Sequence, residues 1–395
     1  MLLSNEINDF IEKNINEPTD KLVLMIRQQL DIAPSQIIDQ INGRKKVRHK
    51  IPFWAQKNLI FPSVISFEQC SSEFTARYKS TLISGKKLID LTGGFGVDTY
   101  FLSEKFEQVD YFERNSDLLK IVAHNFEQLG VTNTNFYGGD GVKLLKDIPS
   151  KVDWIYLDPS RRDAQDTKIF LIEDCAPDIL KINDFLLSKA DNILVKLSPM
   201  LDLDQILLKV RGVQSITIVS VKNECKELLL HITKKETDIA NVSIICVNIT
   251  PDQLESFTSW APERKISHDK LQLNQPLDYI YEPNKSILKG NTQNHLAEKL
   301  NISKLHINSN FFTSNTEIPT FHGRIFKKIA IIKLKKKQIN KYLDNGKANI
   351  IARNFPLKAS QIYDKFKIKP GGSVYLLATK LQNNENVLIV CERIK

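Results

Sequence analysis

The stretch LIDLTGGFGVD, residues 88–98, decides the fold of this chain. Its apolar residues around Asp90 predict a short buried strand, and the glycines that follow predict a tight turn. The next residues place Val97, Tyr100 and Phe101 at helical spacing. A strand, a glycine turn and a helix form the nucleotide-cradling unit of α/β folds, because glycine lets a ligand approach the backbone closely.

The glycine turn departs from the dinucleotide-binding fingerprint. That fingerprint needs a third glycine, so that the helix can pack closely on the strand. Here the segment Gly94-Phe95-Gly96-Val97-Asp98-Thr99 puts Thr99 at that place. The sequence therefore argues against a nicotinamide or flavin enzyme.

Acidic residues follow the next three predicted strands. The second strand, 108–112, ends at Glu113, where a carboxylate can accept hydrogen bonds from both ribose hydroxyls of a nucleoside. The third, near 135–137, leads to Asp140, placed to receive an adenine amino group. The fourth, 152–157, runs into the segment DPSRR, 158–162. Because open α/β sheets bind ligands at the carboxyl ends of their strands, we expect a nucleoside site at this edge.

These motifs together resemble those of class I S-adenosylmethionine (SAM) methyltransferases. DLTGGFGVD, 90–98, is similar to their first motif, with a threonine where many members have the first glycine. The resemblance implies a Rossmann-like α/β sheet with an antiparallel terminal hairpin, and SAM as the cofactor. It also implies a cofactor site made of Asp90, Thr92, Gly93, Gly94, Gly96, Asp98, Glu113 and Asp140.

The whole chain resembles a bacterial family that joins an N-terminal helical region, this methyltransferase core, a small ferredoxin-like insert and a C-terminal THUMP-like domain. On that basis we expect a helical region at 1–85 and a methyltransferase domain at 86–240. A ferredoxin-like α+β domain is expected at 241–325 and a basic THUMP-like domain at 326–395. The DxTxGxGxD form also resembles ribosomal RNA guanine-N2 methyltransferases, which implies an RNA substrate, either rRNA or tRNA.

Spacing supports the methyltransferase sheet independently of the motifs. Two β-rich runs, 216–221 and 228–233, flank a connection of only six residues. A connection this short joins antiparallel but not parallel neighbours. A terminal antiparallel hairpin distinguishes this sheet from the all-parallel dehydrogenase type.

The region before the core is predicted to be helical. We expect one helix over 66–82 with Ser66 as its N-cap, and an earlier helix that ends at Gly43. The basic run RKKVRHK, 44–50, follows that glycine. It is interpreted as a solvated loop or helix end, with phosphate contact as the alternative.

Composition indicates an intracellular enzyme. The chain has 395 residues and a hydrophobic fraction of 42%, and no apolar run approaches the roughly 18 residues of a membrane span. The N-terminus lacks a signal-peptide pattern, so a cytoplasmic location is expected. The five cysteines include no CxxC pair, so no metal site or disulfide framework is predicted.

Positive charge is concentrated in the C-terminal fifth. The net charge is +9, yet residues 321–395 hold 17 Lys and Arg against 4 Asp and Glu, leaving 38 basic and 42 acidic residues before them. A basic module beside a neutral core suggests a polyanionic partner, with Lys335, Lys336 and Lys337 as candidate RNA contacts. A solvated lysine-rich surface is the alternative.

The fourth motif is the predicted chemical centre. Asp158 and the carbonyl of Pro159 are placed to accept hydrogens from an exocyclic amine, which sharpens its lone pair for methyl transfer. Ser160 replaces the second proline of the D/N-P-P-Y form found in nucleic-acid amino methyltransferases. Arg161 and Arg162 either clamp a phosphate or pair with nearby acids. Lys196, at the end of the fifth strand, either faces substrate or has a structural role.

Three function classes follow. An RNA-base methyltransferase is favoured by the basic C-terminus and the intact Asp158-Pro159 pair. The alternatives are a methyltransferase of a small molecule or protein, and a SAM-binding protein that binds RNA without catalysis. A covalent route through Cys225 is disfavoured, because this cysteine lies away from the fourth motif in the sequence.

Overall fold

The computed structural model describes residues 4–30, 32–56, 58–161, 171–265 and 271–395. The chain divides into two compact units. The first contains Met1–Gln214 and Leu228–Glu236, and the second contains Ser215–Glu227 and Thr237–Lys395. Among the described residues, no helix combines the length and the apolar character needed to cross a membrane.

The first unit begins with helices and continues as alternating strands and helices. Its helices are α1 (Asn5–Asn14), α2 (Thr19–Gln29), α3 (Pro34–Lys50), α4 (Val64–Gln69), α5 (Glu73–Ser80), α6 (Val97–Ser103), α7 (Ser116–Gln128), α8 (Gly141–Leu144), α9 (Ile179–Lys189) and α10 (Leu203–Lys209). Its first strands are β1 (Gly85–Asp90), β2 (Phe106–Glu113), β3 (Thr134–Gly138), β4 (Val152–Leu157), β5 (Ser160–Arg161), β6 (Cys175–Ala176) and β7 (Ala190–Leu197). The chain then passes through β8 (Val213–Val221), most of which belongs to the second unit, to β9 (Glu224–Thr233).

The sheet of the first unit has the strand order β9-β7-β4-β1-β2-β3. Strand β1 pairs in parallel with β2 and β4, and β4 pairs in parallel with β7. Strand β9 pairs antiparallel with β7. Lys222 and Asn223, which join β8 to β9, both have positive φ, as in a two-residue hairpin turn. The predicted fold class, with its antiparallel end, is therefore confirmed.

An aromatic core fixes α6 and α7 against the sheet. Trp54, Phe95, Phe101 and Phe126 are all buried in one cluster. Trp54 packs edge-on against Phe95, with ring centroids 5.2 Å apart. The segment between α3 and α4 therefore covers the first helix of the α/β unit and belongs to its core.

Two details of the N-terminal region differ from the sequence prediction. The helix predicted to end at Gly43 continues as α3 to Lys50, because Gly43 serves close packing: a Cβ there would lie 2.3 Å from the Phe61 Cβ. The single helix predicted over 66–82 is wrong as well. It is broken into α4 and α5, and Ser72 caps α5 by accepting from the Thr75 amide at 3.3 Å.

The second unit is an α+β structure. Its elements after β8 are β10 (Ser243–Ile249), β11 (Leu254–Trp260), β12 (Tyr279–Pro283), α11 (Lys285–Gly290), α12 (Gln293–Lys299), β13 (Ser303–Lys304), β14 (Phe312–Ser314), β15 (Gly323–Ile332), α13 (Lys336–Ile339), β16 (Asn349–Ala352), α14 (Ala359–Phe366), β17 (Val374–Lys380) and β18 (Asn386–Arg393). Strand β10 pairs in parallel with β8 and antiparallel with β11.

One seven-stranded sheet, in the order β13-β14-β12-β15-β18-β17-β16, spans the rest of the second unit. Strand β15 pairs antiparallel with β12 on one side and with β18 on the other. The domain boundary expected near residue 325 therefore falls inside a strand that is hydrogen-bonded on both sides.

Candidate active site

The acid that ends β1 is fully buried and held by two threonines. Thr92 donates its amide to Asp90 Oδ1 at 2.9 Å, and the Thr99 hydroxyl donates to Oδ2. Burial raises the pKa of Asp90 to about 7, an effect that these two hydrogen bonds oppose. Thr99, the residue that breaks the dinucleotide fingerprint, is thus the partner of the motif's first acid.

The glycines of the turn after β1 are required for different physical reasons. A Cβ on Gly93 would lie 2.1 Å from the Tyr111 ring, whose hydroxyl donates to the Gly94 carbonyl at 2.6 Å. Gly94 and Gly96 have φ of +62° and +75°, which side chains rarely adopt. The nearest atom to a Cβ built on Gly94 is the Thr92 oxygen, 3.8 Å away, so the turn leaves room for a ligand.

Glu113 links the end of β2 to this turn. Its Oε2 accepts from the Gly94 amide at 2.9 Å, and its Oε1 accepts from the Asn115 amide at 2.7 Å. A carboxylate has about four acceptor positions, so each oxygen keeps one for a further donor. The side chain therefore organises the turn and can still accept from two neighbouring hydroxyls.

Asp140 caps the short helix that follows β3. Its Oδ1 accepts from the Val142 and Lys143 amides at 3.1 and 3.3 Å. Its Oδ2 pairs with Arg114, 2.8 Å away and largely exposed. The sequence analysis does not identify Arg114 as a candidate site residue.

These residues fit a nucleoside cofactor at the carboxyl edge of the sheet. Three features lie in turn after the ends of β1, β2 and β3. They are the open space above Gly94, the two remaining acceptor positions of Glu113 and the carboxylate of Asp140. Carboxylate acceptors beside an open turn suit the hydroxyl and amino groups of a nucleoside. We therefore assign the cofactor contacts to this edge as part of the function proposed below.

The fourth motif is tied directly to the first. The Asp158 amide donates to Thr92 Oγ1 at 2.6 Å, so threonine at this position connects β1 to the end of β4. The Asp158 carboxylate is about one-third exposed, and its Oδ2 lies 2.6 Å from the ammonium nitrogen of Lys196. Pro159, next in the chain, is buried.

Asp98 lies in a buried ionic cluster beside Asp158. Its Oδ1 is 3.2 Å from the Lys79 Nζ, and its Oδ2 accepts from the hydroxyls of Ser71 and Tyr156, both at 2.7 Å. Burial alone would raise the pKa of Asp98. The ammonium groups of Lys79 and Lys196 and the two hydroxyls outweigh it and hold the pKa well below its usual range.

Sequence reasoning missed Ser71, Lys79 and Tyr156. A signal for Lys79 existed, because Thr75, Ala76, Lys79 and Ser80 form the buried stripe of α5 at helical spacing. A lysine in such a stripe needs a buried counter-charge. No local pattern pointed to Ser71, which lies in the break between α4 and α5.

The remaining candidates belong to other elements of the chain or lie outside the described residues. Arg161 is in β5, which pairs with β6, and Arg162 lies outside the described residues. Lys335, Lys336 and Lys337 are exposed residues of the second unit. Cys225 also belongs to the second unit, and burial raises the pKa of its thiol. In the described ranges, no cluster of three or more His, Cys, Asp or Glu side chains could hold a metal ion.

Comparison with family models identifies two domains in the second unit. A ferredoxin-like domain model matches residues 279–321, and a THUMP domain-like model matches residues 323–393.

Curated relatives include uncharacterised RNA methyltransferases. One from Clostridium acetobutylicum is 27% identical over 128 residues, covering 31% of this chain and 28% of that protein. One from Mycoplasma mobile is 30% identical over 92 residues, covering 23% of this chain and 25% of that protein. The chain thus spans about a quarter of the length of these curated relatives.

One solved structure matches from end to end. A protein from Porphyromonas gingivalis W83, described provisionally as a methyltransferase, is 32% identical. The match covers 100% of both chains with a TM-score of 0.88. The chain belongs to the same family as this protein, that of class I SAM-dependent methyltransferases with a ferredoxin-like domain and a C-terminal THUMP-like domain.

Proposed function

We propose that this protein transfers a methyl group from SAM to an amino group of an RNA base. The observation that carries the proposal is the Asp158 carboxylate. It is anchored through its own amide to Thr92 of the cofactor turn and is partly open at the carboxyl edge of the sheet. An acceptor at this place is adjacent to the cofactor turn on one side and to entering substrate on the other.

The cofactor residues have distinct tasks in this proposal. Bound SAM supplies an electrophilic methyl group on a sulfonium. The backbone from Asp90 to Gly96 lines its approach, Glu113 accepts from the ribose hydroxyls, and Asp140 accepts from the adenine amino group. Asp90 stands behind the turn and provides the buried negative charge that offsets the cofactor's ammonium group.

Asp158 and the Pro159 carbonyl act on the methyl acceptor. Each accepts one hydrogen of an exocyclic amine, so that the nitrogen lone pair is aimed along the line of displacement. The nitrogen that gains the methyl group gives up one of these protons to the Asp158 carboxylate. Positioning of this kind accounts for most of the rate in such reactions, because no bond to the protein forms. Arg161 and Arg162 are proposed to hold a substrate phosphate near the same strand end.

RNA is the proposed substrate for two reasons. The partial relatives from Clostridium acetobutylicum and Mycoplasma mobile are named as RNA methyltransferases. The residues matched by the THUMP-like model also carry the chain's excess of positive over negative charge. Exposed Lys335, Lys336 and Lys337 at α13 are the proposed RNA contacts, and an enzyme with this substrate would work in the cytoplasm.

Modified nucleosides provide the test in cells. RNA from a strain lacking the gene and RNA from its parent are digested to nucleosides and compared by mass spectrometry. We expect one methylated base to disappear in the deletion strain and to return with the wild-type gene. Identical nucleoside profiles in rRNA and tRNA would refute RNA methylation.

A further inference from the structure

The Asp158 carboxylate is held from one side only. Its Oδ2 lies 2.6 Å from the Lys196 Nζ, and Lys196 is mostly buried. Within the described ranges of the chain, Oδ1 accepts no hydrogen bond and makes no ion pair. One oxygen is therefore fixed while the other is available to a ligand.

Lys196 is itself held on its far side. Its Nζ donates to the Ser71 hydroxyl at 3.1 Å and lies 3.5 Å from Asp98 Oδ2. The ammonium group is thus fixed between two carboxylates and a hydroxyl.

The far end of the cluster is anchored in the N-terminal helical region. Lys79 on α5 is fully buried and pairs with Asp98 at 3.2 Å, and its Nζ also donates to Ser71 at 3.3 Å. Lys79, Lys196, Asp98 and Asp158 together carry no net charge. Burying Lys79, Asp98 and Lys196 gives little net stability compared with apolar packing, so such a cluster is better explained by specificity of geometry.

We propose that Lys196 is a positioning residue for methyl transfer: the chain Lys79–Asp98–Lys196 fixes one oxygen of Asp158 and so presents the other to the methyl acceptor. This inference rests on the proposed function and gives Lys196 a different task from the substrate contact considered from the sequence. It also makes the segment from Ser71 to Lys79, which lies before the first motif, a part of the catalytic centre.

The Lys196→Met variant tests this role. We expect SAM affinity and the KM for RNA to stay within about threefold of wild type while kcat falls about 10- to 100-fold, as for a misplaced catalytic group.

Two further variants separate positioning from stability. Lys196→Met combined with Asp98→Asn removes one charge of each sign, so the melting temperature should recover toward wild type while kcat stays low. Lys87→Met breaks a different ion pair of the sheet, between Lys87 on β1 and the buried Asp110 on β2 at 2.8 Å, and should leave kcat within about threefold. This variant is the matched control.

The outcomes are distinguishable. Activity of Lys196→Met within about threefold of wild type, or recovery of kcat together with melting temperature in the double variant, would overturn the positioning role. Absence of methyl transfer by the wild-type protein to any RNA would instead overturn the proposed function itself.

Discussion

Replacing Glu113 by alanine tests both the stability of the glycine turn and the proposed cofactor site. The carboxylate accepts from the Gly94 amide at 2.9 Å and from the Asn115 amide at 2.7 Å. A hydrogen bond to a charged group contributes about 1.5–3 kcal/mol. Water can replace the exposed contact to Asn115, so the half-buried contact to Gly94 should dominate the loss. We expect the free energy of unfolding to fall by about 1–3 kcal/mol.

The same substitution removes the proposed ribose acceptor. Losing a hydrogen bond between the ribose and a carboxylate should weaken SAM binding by about 1–3 kcal/mol, or roughly 5- to 150-fold in Kd. Titration calorimetry measures the Kd, and urea unfolding measures the stability. The matched control is Glu107→Ala, an exposed glutamate of the same strand β2, which should bind SAM like wild type. A Glu113→Ala protein that binds SAM within threefold of wild type would refute the assignment.

Three other predictions concern chemistry, pH and RNA. Asp158→Ala should keep SAM affinity within about threefold but strongly lower the single-turnover rate with saturating RNA, because this carboxylate acts on the acceptor. SAM affinity should increase as pH rises through about 7. The reason is that the buried Asp90, with its pKa raised to about 7, must lose its proton to offset the cofactor's positive charge. Calorimetry at pH 6 and pH 8 measures this change in affinity. Changing Lys333, Lys335, Lys336 and Lys337 to Gln should weaken RNA binding and reduce its salt slope by about 0.7 for each lost contact with a single-strand phosphate, as measured by fluorescence anisotropy.

Each of these predictions has its own control. A single-turnover rate for Asp158→Ala within about threefold of wild type, roughly 0.7 kcal/mol, would exclude a catalytic role. Asp90→Asn should abolish the pH dependence of SAM binding, and a dependence that persists would point to another group. The four lysines changed to arginine keep their charge and should retain RNA affinity. If the glutamine variant also retained affinity and slope, the cluster would be solvated surface.

Much of the α/β core was predictable because its signals are local. The glycine turn and the strand-end acids each depend on residues within a few positions of one another. The antiparallel strand β9 followed from the short connection before it. The role of Gly43 was not predictable, because it depends on packing against the distant Phe61. The break at 70–72 was not predictable either, because Ser71 there contacts the distant Asp98.

The catalytic surroundings were predicted only in part for the same reason. Asp158 was found from its motif, whereas its partner Lys196 could not be assigned a task. The residues it contacts, Asp158, Asp98 and Ser71, are distant from it in the sequence. Asp98 belongs to the first motif, yet its carboxylate faces Lys79 and Tyr156. Pairing of buried charges is set by the tertiary structure, and one sequence does not show which partners meet.

Transfer of label from methyl-labelled SAM to RNA tests the central claim most directly. The purified protein is incubated with total RNA from a strain lacking the gene, and label is counted in the deproteinised RNA. We predict incorporation that ribonuclease removes, that protease leaves intact, and that Asp158→Ala lowers strongly. Label found only in protein or small molecules, or equal labelling of RNA by wild type and Asp158→Ala, would contradict the account.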